Sequence, residues 1–102
     1  MDIIANTTYL TSAYVNARVI GDVLLALTGY FKIGGSIPGG TVLFTLPDIA
    51  LFGATYIFIK ASDYTFRGRI EVHGTNELKL SDTMSAYSGF LYIQEIVPCR
   101  LV

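Results

Sequence analysis

The sequence predicts an all-β protein, an antiparallel β-sandwich of jelly-roll type, and three observations carry that prediction. From Ala13 onward the chain is a succession of short runs rich in Val, Ile, Leu, Tyr and Phe. Each run is stopped by a Gly, Pro, Asn or Asp cluster, the punctuation by which strands and tight turns alternate. No segment reads as a helix. Seven or eight such strands in 102 residues suit one sandwich, and a chain of this length buries roughly 60 to 68 per cent of its unfolded surface without staples.

Taken in order, residues 1–12 form a polar lead-in or an edge strand, with Asn6, Thr7, Thr8, Thr11 and Ser12, and residues 13–102 form the sandwich domain. The first core strand is Tyr14 to Ile20. Gly21-Asp22 closes a tight hairpin, since glycine supplies the twist that two-residue turns require. Val23 to Ile33 follows, apolar on both faces over most of its length. Gly34-Gly-Ser-Ile-Pro-Gly-Gly40 has the glycine density of a phosphate loop but no lysine or helix after it, so it is a turn. Thr41 to Leu46 is a strand bounded by Pro38 and Pro47, which fix φ and remove donors where a ladder begins and ends. Thr55 to Ala61 comes next. Phe66 to Val72 and Glu77 to Leu80 make a hairpin about His73-Gly-Thr-Asn76, with Ile70, Val72, Leu78 and Leu80 buried and Arg69, Glu71, Glu77 and Lys79 wet. The last strand is Gly89 to Val97.

Charge is the unusual quantity. Charged residues make up 15% of the chain and hydrophobic ones 52%, against about 25% charged in an average soluble domain. Tyr56-Ile-Phe-Ile59 and Phe90-Leu-Tyr-Ile93 are two-sided like Val23 to Ile33, and strands apolar on both faces must be covered on both. Further copies of the chain are the expected cover. A membrane is not expected, because Asp22 and Lys32 bracket one apolar run and Pro47 and Asp48 cut the next, far short of the roughly 20 residues a helical span needs. Met1-Asp-Ile-Ile-Ala-Asn6 has no basic region before an apolar core, so no secretory signal is expected. Seven scattered Lys and Arg and a net charge of −1 leave no concentrated basic face for nucleic acid. Cys99, the single cysteine, can form no internal disulfide and reads as a packed or half-exposed thiol.

No catalytic motif assembles, so no enzyme and no cofactor are expected. His73 is the sole histidine and reads as a solvated turn residue. Zinc is not expected where only one Cys and one His are present. Asp48, Asp63, Glu71, Glu77, Asp82 and Glu95 offer carboxylate pairs, yet no motif places two of them across a cleft as glycoside hydrolysis requires. The Gly-x-Ser-x-Gly nucleophile elbow is absent. What remains is polar and aromatic groups in loops on a rigid scaffold, which suits saccharide recognition: rings stack on pyranose faces and fixed polar groups hold hydroxyls. Two loops fit that chemistry. Ser62 to Thr65 running into the next strand offers Asp63, Tyr64, Arg67 and Arg69, and Ser81 to Ser88 offers Asp82 and Tyr87.

The pattern of Gly21 to Gly29, then Ile37-Pro-Gly-Gly-Thr-Val-Leu-Phe-Thr-Leu-Pro47, the hairpin Ile70 to Leu80 and a last strand with a Tyr resembles the C-terminal head domains of bacteriophage tail-fibre and baseplate receptor-binding proteins. Such domains commonly continue Leu-Pro with Gly-Tyr-Arg-Pro, where this chain has Asp48-Ile-Ala-Leu-Phe-Gly53. The resemblance implies a homotrimer at the tip of a virion appendage, assembled in bacterial cytoplasm, contacting other tail or baseplate proteins and a host surface or cell-wall polysaccharide. The alternative is a structural module, a decoration or fibre-cap domain that trimerises and ends a fibre.

Overall fold

In the computed structural model, residues 3–47, 49–51, 54–73 and 76–101 are described, with the backbone alone for Ala54, Thr55, His73 and Leu101. Asp48 and the side chain of His73, both weighed above, lie outside the described residues. Every regular element among them is a strand: β1 (Ile4–Ala5), β2 (Leu10–Ile20), β3 (Leu24–Ile33), β4 (Val42–Thr45), β5 (Ile49–Leu51), β6 (Ala54–Ala61), β7 (Phe66–His73), β8 (Glu77–Leu80) and β9 (Leu91–Leu101). All pairings are antiparallel and join one sheet in the order β1-β4-β8-β7-β6-β9-β3-β2, with β5 added on β9. The all-β expectation is therefore met.

The sheet curls until its two ends nearly meet. Asn6 bridges the seam: its N–H donates to the Leu43 carbonyl at 2.9 Å, its Nδ2 donates to the Val42 carbonyl at 2.8 Å, and its own carbonyl accepts from Leu10 N–H at 2.9 Å. Inside the curl lies one core. Phe31 of β3 and Phe44 of β4, far apart in the strand order, meet edge to face at 5.6 Å between ring centroids, so opposite parts of the sheet face each other across it. No polar or charged side chain is buried among the described residues. Cys99 is buried there, and desolvation, with the Asp22 charge second, pushes its thiol above the ordinary value.

Local sequence explains the turns. Gly21 (φ 60°) and Asp22 (φ 62°) are both left-handed, the signature of a type I′ turn between β2 and β3, and Val23 N–H closes it on the Ile20 carbonyl. The β7–β8 hairpin alternates as predicted, with Ile70, Val72, Leu78 and Leu80 buried. Most strand ends agree to within two residues, and the larger differences are at β2, β9 and the short strands β1 and β5. β2 begins at Leu10, inside the segment read as a lead-in, because a bulge between Leu10 and Ser12 lets the chain join β3 four residues early. β1 and β5 are too short to show a period. β9 runs through Pro98 to Leu101, past the predicted Val97. Cys99 N–H donates to Val23 on the β3 side, so the donor Pro98 lacks falls on the opposite edge, where no described strand pairs with it.

Candidate saccharide-binding groove

β9 is flanked on one edge by β3 over Leu91 to Pro98, and on the other by β6 at Leu91 and Tyr92 and by β5 from Cys99 on. Between β6 and β5 the second edge stands open. There the outer faces of β3, β6 and β9 and the turn after β6 enclose a groove of about 560 Å³, lined by Thr28, Tyr30, Phe58, Lys60, Tyr64, Tyr92, Gln94 and Glu95 among others.

Register builds the aromatic wall. Tyr14 pairs with Tyr30, Tyr30 with Tyr92, Tyr92 with Lys60 and Lys60 with Phe66, one row across five strands. Tyr14 and Tyr30 lie 5.2 Å apart between centroids, Tyr30 and Tyr92 5.8 Å, and Phe58 and Phe66 5.8 Å edge to face. Phe90 packs edge-on against Tyr30 at 5.0 Å and carries Lys32 Nζ over its face at 4.6 Å. Apart from half-buried Phe90 these rings are exposed, and Tyr14, at 60% exposure, is the most open of the strand tyrosines. An exposed row of fixed aromatic side chains beside Lys60, Gln94 and Glu95 can stack on sugar rings and hydrogen-bond hydroxyls.

Tyr64 enters the groove from the four-residue connection between β6 and β7. Tyr64 N–H donates to the Ala61 carbonyl and Ala61 N–H donates to the Thr65 carbonyl, both at 2.9 Å. That geometry places a left-handed residue before the returning strand, a position usually given to glycine. Here it is Tyr64, at φ 67° and 83% exposed. Such a backbone costs about 1 to 3 kcal/mol and persists at sites where a side chain must be presented. Asp63, fully exposed, serves the same turn: its Oδ1 accepts from Thr65 N–H at 3.0 Å. Hydrogen bonds from the Thr65 side chain and then its backbone hold the Asp63 carboxyl below its ordinary value.

The other four residues expected at the site gather elsewhere, where β7 meets the loop after β8. Arg67 lies over the Tyr87 ring at 4.4 Å, and Arg69 over Tyr56 at 4.5 Å. Arg69 Nε donates to Ser81 Oγ at 2.9 Å and its Nη2 pairs with Asp82 at 3.4 Å. Half-buried Tyr87 packs against the core, so these groups hold a loop to a strand, while Arg67 and Asp82 remain exposed. Of the six, Tyr64 alone lines the groove. Tyr14, Tyr30, Phe58, Lys60 and Tyr92 were not named from sequence. Tyr30, Phe58 and Tyr92 lie in the three runs where alternation fails, a pattern that reads from sequence as subunit cover, and Tyr14 and Lys60 carry no such signal.

Among the described residues no cluster of three or more His, Cys, Asp or Glu could hold a metal ion, and no helix is long and apolar enough to cross a membrane. The chain matches no protein-family model, no curated protein and no solved structure.

Proposed function

We propose that the chain is a receptor-binding head domain of a bacteriophage tail fibre or baseplate, a non-catalytic homotrimer of jelly-roll type that takes host surface saccharide in the groove between β3, β6 and β9. The observation that carries this reading is the groove's composition. Tyr30, Phe58 and Tyr92 on the sheet and Tyr64 in the turn after β6 offer ring faces, and Lys60, Gln94 and Glu95 offer directed polar groups. The sequence resemblance supplies the virion setting, and weak sites gain avidity from several copies on one appendage.

A glycan array and pull-down on bacterial cell walls test it. Wild-type protein is expected to bind, and Tyr92→Ala is expected to weaken binding about tenfold, the effect of losing roughly 1.4 kcal/mol of ring stacking. Absence of binding to any bacterial envelope, or binding indifferent to Tyr92→Ala, removes the groove as the site. A reducing-end assay on bound polysaccharide is expected to stay flat.

A second reading rests on a different patch. Ile20, Val23, Leu24 and Ile96 are exposed at the turn and along the outer face where Leu24 pairs with Pro98 and Ala26 with Ile96. This end carries the charges of Arg18 and Asp22, and the groove's Lys60, Gln94 and Glu95 lie outside it. It suits burial between subunits in a trimerisation or decoration module of a virion, which would bind no saccharide.

A further inference from the structure

We propose that β2 is an assembly edge, and that a second copy of this chain adds its own β2 to it antiparallel, across a two-fold axis near Val15. The inference does not depend on the saccharide reading. At one end of the sheet is β1, two residues long; at the other is β2, with 11 residues. β2 pairs with β3 alone, and from Ser12 to Ile20 its register is unbroken. Leu10 N–H is taken by the Asn6 carbonyl at the seam; beyond it, the outer edge of β2 is a row of backbone donors and acceptors without a strand partner among the described residues, a template for another strand.

Proteins ordinarily blunt such an edge with lysine, proline, bulges or brevity. Leu10-Thr-Ser-Ala-Tyr-Val-Asn-Ala-Arg-Val-Ile20 has no lysine or proline, and its bulge lies at the extreme end. Arg18 is its one charge. The core is thin here as well: Ala13, Val15 and Val19 point inward against it but stay half-buried, while Leu25 and Leu27 of β3 are fully covered. An added strand would extend the ladder and cover those side chains together.

The strand is complementary to itself. In an antiparallel pairing about Val15, Arg18 faces Ser12, Tyr14 faces Asn16, Ala13 faces Ala17 and Val15 faces its own copy. No two arginines meet, and, although Val19 falls opposite Thr11, the inward-facing pairs of Ala13 with Ala17 and Val15 with its own copy match apolar to apolar, which favours a second copy over a foreign strand. Three-fold packing through sheet faces uses other surfaces, so the two contacts together would give six copies.

Native mass spectrometry at low micromolar concentration tests the edge. The wild-type chain is expected to show an even number of copies. Tyr14→Lys with Asn16→Lys sets like charges opposite each other twice across the axis and is expected to halve the mass. Tyr14→Lys with Asn16→Glu loses the same Tyr14 ring contact but sets Lys opposite Glu, and is expected to restore it. A wild-type monomer or odd-numbered assembly overturns the proposal, as does an unchanged mass for the Lys/Lys variant or equal loss in both. Saccharide binding is read separately on the array, so failure of the edge leaves the groove untouched.

Discussion

Two backbone positions show how single residues shape the groove. At Tyr64 a left-handed φ of 67° sits under a bulky aromatic residue, a conformation that glycine or asparagine accepts more readily. Replacing it should relax the turn and remove a ring from the groove together. Tyr64→Asn is expected to raise stability by about 0.5 to 1 kcal/mol in urea unfolding while weakening saccharide binding. A loss of stability would show that the ring's packing outweighs the backbone strain. Gly29 is the converse case. It sits at φ 148°, and a β-carbon there would drive into the Tyr14 carbonyl oxygen and lie 2.6 Å from Val15 Cα. Neither atom can give way, since both belong to the neighbouring strand's backbone. Gly29→Ala is expected to cost about 2 to 4 kcal/mol, strain and overpacking combined, with a lowered urea midpoint at unchanged m-value.

At the scale of elements, strands and turns with a local cause were legible in the sequence. Gly21-Asp22 announced the β2–β3 turn, and the alternation from Arg69 to Leu80 announced a hairpin with one wet face. Pro98 concealed the end of β9, because a proline reads as a stop unless the unpaired edge that tolerates it is already known. Of the residues named from sequence, Tyr64 alone lines the groove, and the reason is the groove's construction. Tyr30, Tyr92 and Lys60 come from three strands and become neighbours only through register, whereas Asp63 and Tyr64 share a turn that local chemistry defines. That turn carries a pH signature. The folded Asp63 carboxyl lies below its ordinary value, so the hydrogen bonds from Thr65 support the fold above the unfolded carboxyl's value and are lost as pH falls through the lower, folded one. The Thr65 amide shift in NMR is expected to titrate with a midpoint below that of an ordinary aspartate, and to lose that transition in Asp63→Asn. A midpoint at or above the ordinary value would mean that Thr65 does not hold the carboxylate in solution.

At the scale of the molecule, the low charge read from composition and the exposed apolar side chains of the fold describe one property. The core closes without a buried polar side chain among the described residues, yet Val23 at 61% exposure and Ile96 at 57% remain open to water near the β2–β3 turn. These two lie at the opposite end of β3 from Tyr30 and outside the groove lining, so cover and ligand need not compete for the same surface. If this end packs against other copies, stability must rise with protein concentration, because association adds free energy only to the folded state. Thermal unfolding of the wild-type chain is therefore expected at higher temperature as concentration increases. Val23→Lys with Ile96→Lys should abolish that dependence and lower the assembly's mass, since burying unpaired ammonium groups in an apolar contact costs several kcal/mol. Both positions are solvated in the single chain, so its own unfolding temperature at high dilution should scarcely move. A concentration-independent midpoint in the wild type would leave this patch without a partner copy, and unchanged assembly in the double variant would move the contact to another face.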